Sequence, residues 1–190
     1  MKRTILVWLA VAWLITLARP ALAGEVSCEG FVLGYDGEAK SKTCSAKDNS
    51  EGDLVWETRD IDVIDQTFSL WVRYRHAGTG TFFHRRPIEQ LLAGSSFTHV
   101  QKWGVSRFIG GLEVVAFNGV DKGDTYEMTC AMFARYYGQA NVYNVSGTKN
   151  SIYGVYCAEP GMLTPDQQGT GFYAVMDEVI AKIRLPPTSD

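Results

Sequence analysis

Four cysteines, Cys28, Cys44, Cys130 and Cys157, constrain this chain more than any other feature because of what precedes them. Met1-Lys2-Arg3 leads into a 13-residue apolar run, Ile5 to Leu17, followed by Arg19-Pro20 and then Ala21-Leu22-Ala23. A charged start, a short apolar stretch, a helix breaker and an A-x-A site describe a secretory signal peptide, residues 1–23, cut after Ala23. The run falls short of the roughly 20 apolar residues of a membrane span. The first cysteine also lies too far from the cut to be lipidated there. The expected product is secreted or periplasmic, without stable membrane insertion after leader cleavage, and its thiols mature where they pair. Two disulfides follow. Four cysteines permit three pairings; sequence proximity favours Cys28 with Cys44 and Cys130 with Cys157.

Residues 24–190 are long enough for one globular domain around a single core. The leader carries three basic residues and no acid, so 15 basic and 21 acidic residues remain, a net charge of −6. That balance argues against nucleic acid as a partner.

The patterning is that of an α+β fold: an antiparallel sheet built from hairpins and packed by a C-terminal amphipathic helix. Gly30 to Asn49 is glycine-rich and polar, with Gly34-Tyr35-Asp36-Gly37 as a turn, and reads as a stapled hairpin or loop. Asp53 to Ile64 and Thr67 to His76 read as strands. In the second, Phe68, Leu70, Val72 and Tyr74 alternate with Ser69, Trp71, Arg73 and Arg75. Gly78-Thr79-Gly80 is a turn from which Thr81 to Arg85 is expected to return as partner strand. Pro87 then opens a short helix that Gly94 closes. Leu112 to Phe117 and Tyr126 to Tyr137 form a second hairpin. The latter segment also fits a helix, with Asp124 and Glu127 as capping box, but its residue types favour a pleated surface. Ile152 to Cys157 is a further strand, ahead of a Pro160-Gly161 turn. Thr164, Pro165 and Gln167 supply the cap of a final helix that Pro186-Pro187 ends. Its buried stripe is Phe172, Val175, Met176, Val179, Ile180 and Ile183.

No motif of catalytic or cofactor grade appears in residues 24–190. Ser146 to Lys149 matches S-x-x-K, but the companion S-D-N and K-T-G are missing and the stretch reads as a turn. His76, His84 and His99 match no zinc spacing, so no metal or cofactor is expected. Asp60-x-Asp62-x-x-Asp65 lacks the glycine of a calcium loop and reads as carboxylates keeping a strand edge soluble. Asn144-Val145-Ser146 is a glycosylation acceptor only in a host that uses it.

The most suggestive pattern is a reversal of charge. Asp48, Glu51, Asp53, Glu57, Asp60, Asp62 and Asp65 precede a stretch with Arg73, Arg75, Arg85 and Arg86 and no acid between residues 66 and 88. Guanidinium forks beside aromatic rings suit an anionic group such as phosphate, uronate or carboxylate. Trp71, Arg73, Arg75, His84, Arg85 and Arg86 are therefore the candidate ligand-binding residues. Cross-strand ion pairs that set register are the structural reading of the same arginines. The functional expectation is a non-enzymatic binding or interaction domain whose partner is an anionic small molecule, a glycan or an envelope protein. The alternatives are an inhibitor or assembly factor, and a small cell-envelope hydrolase using a carboxylate or His84 as general base.

Overall fold

The computed structural model describes residues 24–29, 33–37, 39–48, 54–64, 68–142 and 145–185. The leader, Asn144 and Pro186-Pro187 lie outside them. Eleven strands and two α-helices follow in chain order: β1 (Gly24–Glu25), β2 (Gly34–Tyr35), β3 (Ser41–Asp48), β4 (Leu54–Ile64), β5 (Phe68–Ala77), α1 (Ile88–Ala93), β6 (Thr98–Lys102), β7 (Arg107–Ile109), β8 (Leu112–Val120), β9 (Met128–Val142), β10 (Val145–Ala158), α2 (Phe172–Ala181) and β11 (Ile183–Arg184). Among the described residues, nine of the strands form one antiparallel sheet in the order β1-β3-β4-β5-β10-β9-β8-β6, with β7 also on β8. β2 and β11 pair separately.

Period-two alternation sorts the side chains onto two faces. On the first, Ile61, Val63, Leu70, Val72, Val114, Phe133 and Ile152 meet Phe172, Met176 and Ile180 of α2, all of them buried. On the second, Val115, Phe117, Cys130, Met132 and Cys157 meet Ile88 and Leu92 of α1. The expected packing of an antiparallel sheet by a C-terminal helix is present, although helix content is small.

Several local expectations change. The region read as a stapled hairpin or loop contains β3, which pairs along β4. Its polar sequence hides the strand because four of its eight residues are exposed and three half-buried at the sheet margin, and only Cys44 is buried. β4 is accordingly an interior strand, so Asp60 and Asp62 do not guard an edge. Thr81 to Arg85 does not return along β5, whose two sides are already taken by β4 and β10; only Phe83 makes a bridge, to Thr148. Ser146 to Lys149 belongs to β10 and is not a turn. Tyr126 to Tyr137 resolves as strand from Met128 onward, in register with both β8 and β10.

The capping box at Thr164 forms, with the Thr164 N–H donating to Gln167 Oε1 at 3.0 Å. It caps a 3-10 turn over Pro165–Gln167, however, and the α-helix begins at Phe172, after Gly169 with φ +58. Two glycines cost the first turns too much backbone entropy for a continuous helix. Ile183, expected on the helical stripe, is buried on β11.

Both disulfides join the sequence-adjacent pairs, Cys28–Cys44 and Cys130–Cys157. Cys130 and Cys157 are direct partners in the β9–β10 register. No helix among the described residues is long and apolar enough to cross a membrane. The two disulfides are compatible with an extracellular or periplasmic protein.

With sequence separations of 16 and 27, removing either bridge by paired Cys→Ala replacement lowers unfolding free energy by about 3 to 4 kcal/mol, measured by denaturant titration extrapolated to water, with a steeper slope because the uncrosslinked unfolded chain exposes more surface. Burial also raises several phenols: Tyr156 is pushed up to about 12, and Tyr74 and Tyr137 move the same way. The native state therefore keeps these protons at pH values where the unfolded chain, titrating near 10, gives them up. Stability is retained below pH of about 10 and lost as pH climbs toward 12, with unfolding and the rise of phenolate absorbance coinciding.

Candidate functional site

A cleft of about 940 Å³ opens on the second sheet face, between the sheet and the segment running from Phe82 to Phe97. Its floor is three interior strands. Trp71 and Arg75 come from β5, Ser151, Tyr153, Val155 and Cys157 from β10, and Met132 and Tyr136 from β9. The odd-numbered residues of β10 all point the same way, as the pleat requires. Ser151 and Cys157 are six residues apart, so at about 3.4 Å per residue the floor runs for roughly 20 Å.

The roof is held by backbone chemistry. Phe83 and Thr148 exchange N–H···O bonds of 2.8 and 2.9 Å. Thr81 Oγ1 donates to the Val55 carbonyl at 2.8 Å. Lys149 Nζ donates to the carbonyls of Gly78 and Thr81 at 2.7 and 3.1 Å. The S-x-x-K lysine is thus a strut of the roof, while Ser146 Oγ donates to Asn141. Gly147 is required here: a Cβ on it would sit 2.0 Å from the Phe82 ring. Beyond the roof, α1 anchors the segment through Ile88 and Leu92.

The predicted basic cluster divides in two. Arg75, His84 and Arg86 line the cleft together with Trp71. The Arg75 guanidinium lies 4.6 Å from the Phe83 ring centre and 5.7 Å from that of Trp56, within cation–π range of both. Among the described residues it makes no ion pair with a carboxylate within 4.0 Å. Its register partner on β4 is Thr58, which carries no charge. Arg86 is exposed at the cleft mouth. Tyr136 stands between them; burial raises its pKa, while the Arg86 backbone and the charges of Arg86 and Arg75 pull it down.

Arg73 has a different fate. Its register partner is Asp60, and the two form a bidentate pair, Nε to Oδ1 at 2.8 Å and Nη2 to Oδ2 at 2.6 Å. The guanidinium also lies 4.9 Å over Trp71 and donates to Tyr153 Oη at 3.4 Å. It braces two floor residues and does not line the cleft. Arg85 does not line it either. The histidines sit on three separate elements: His76 on the first face, its Nδ1 2.9 Å from Asn150 Oδ1, His84 on the roof with its ring 4.9 Å from Phe82, and His99 on β6.

Sequence reasoning missed the contribution of β9 and β10 to the floor. The signal was present as the alternation Ser151, Tyr153, Val155, Cys157, but nothing local tells which partner strands share that face. The far mouth was also missed. It carries Asp121, Asp124, Tyr126 and Glu159, and the carboxylates of Glu159 and Asp124 raise the pKa of the Tyr126 phenol. The cleft is therefore cationic at one end and anionic at the other.

Arg73→Ala, which breaks the bidentate pair, lowers stability by about 1 kcal/mol, whereas Arg86→Ala leaves the melting temperature unchanged; thermal denaturation of the two variants reads the contrast. No protein-family model, no curated protein and no solved structure matches the chain.

Proposed function

We propose that this protein is a non-enzymatic binding domain that takes an anionic group at the Arg75–Arg86 end of the cleft. One observation carries the reading. Arg75 lies against the rings of Phe83 and Trp56 without a carboxylate partner among the described residues, at one end of a cleft of about 940 Å³. Ligand pockets commonly measure about 300–1,000 Å³, with apolar walls and a few placed polar groups. A guanidinium held by aromatic faces is preorganised for an oxygen pair and loses little rotamer freedom on binding. Arg86 adds a second positive charge at the mouth, where it steers approach. Export through the leader, if it is cut after Ala23, puts this domain among envelope or extracellular anions.

Inorganic phosphate, a short uronic-acid oligosaccharide and an acidic peptide, titrated by calorimetry, test the reading. At least one binds, with an affinity that falls as salt rises and drops about tenfold in Arg86→Ala. If neither Arg86→Ala nor Arg75→Gln alters binding of any of them, the cationic end is not a site. Turnover of cell-wall glycan or peptide that vanishes in His84→Ala would instead assign a hydrolase.

A further inference from the structure

The stretch between the two charged ends of the cleft presents Leu91, Trp71, Tyr153 and Val155 beside the Asp62 carboxylate and the polar Ser69, Gln90 and Ser95, and its apolar part is incompletely covered. Leu91 and Val155 are only half-buried although they pack on the second core, which already contains Met128 and Met132. Trp71 and Tyr153 continue this surface toward Arg75, their rings 5.4 Å apart. An apolar floor of this kind beneath a partly detached roof leaves surface that water covers poorly and an apolar occupant covers well. Thioethers at its base allow it to adapt to a flexible chain.

The floor also limits what that occupant is. β5, β10 and β9 are interior strands with neighbours on both sides, so their N–H and C=O groups are consumed in the ladder. An extended peptide lying along them would bury its own amides without partners, which opposes binding at each unpaired group. A hydrocarbon chain carries no such groups. Charge sets the direction. Arg75 and Arg86 attract an anionic head at one end, while Asp121, Asp124 and Glu159 repel it at the other, and Asp62, opposite Trp71 in the register, discourages a second anionic group midway.

Resting on the reading of the Arg75–Arg86 end as an anion site, we infer that the ligand is a single-chain amphiphile, a long-chain carboxylate in free solution, with its head between the two arginines and its chain along Trp71, Tyr153, Val155, Met132 and Leu91. The roughly 20 Å of floor matches an elongated occupant and not a compact anion.

The test titrates the full chain with dodecanoate below its micelle concentration, following tryptophan fluorescence and calorimetry, against hexanoate, dodecanol and an acidic peptide. Dodecanoate binds one to one, at least about tenfold more tightly than hexanoate, because of the longer buried chain, and at least about tenfold more tightly than dodecanol, because of the head. Arg86→Ala removes the preference over dodecanol. Leu91→Gln removes the preference over hexanoate, and the chain-length comparison on the unmodified protein stands even if that variant folds poorly. Equal binding of hexanoate and dodecanoate, both sensitive to Arg86, overturns the amphiphile while leaving the anion site intact. Binding of the acidic peptide but not of dodecanoate overturns it in favour of a peptide ligand. Failure of every anion to bind overturns both readings.

Discussion

Everything in the cleft depends on the register between β9 and β10. This hairpin is the spine of the sheet: β10 carries β5 on its other side and β9 carries β8. A slip of one residue would turn Ser151, Tyr153, Val155 and Cys157 to the opposite face and bring Ile152 and Tyr156 out of the main core. Cys130 and Cys157 sit directly opposite each other in that register and are bonded, so the covalent link and the hydrophobic pattern demand the same alignment. Gly138 of this hairpin adopts φ +71 and presents no Cβ to the Asn150 amide, which a side chain would meet at 2.9 Å.

The two faces of the sheet are closed to different degrees. α2 lays five buried residues on one side, and Tyr173 extends its grip by donating to the Val105 carbonyl at 3.0 Å. α1 is six residues long and buries only Ile88 and Leu92. A helix that short covers only part of the sheet, and the irregular segment before it spans the remainder without filling it. The cleft is the consequence of that mismatch, which is why its middle is core-like and its ends are polar.

Within the basic stretch, register separates support from availability. Arg73 and Arg75 share a face and differ by one position in the alternation, yet Asp60 falls opposite the first and Thr58 opposite the second. The first is neutralised and braces Trp71 and Tyr153. The second keeps its charge among aromatic rings. The ion-pair reading of the arginines and the binding reading thus apply to different residues.

The main-core alternation in β5, the apolar stripe of α2 and the strand character of β9 were legible in the sequence, since each is a local pattern of two or 3.6 residues; the cysteine pairing was legible through proximity along the chain alone. So was the arginine-rich stretch. Residues 1–23, read above as a leader, lie outside the described structure. Strand order, the insertion of β10 beside β5, the burial of β4 behind β3 and the late start of α2 were decided only by tertiary structure. β5 alternates equally well against either neighbour, and a polar strand such as β3 acquires its identity from the partner it completes. Which arginine is paired with a carboxylate, and which floor it faces, follows from the pairing of strands in the sheet, and no local period encodes that.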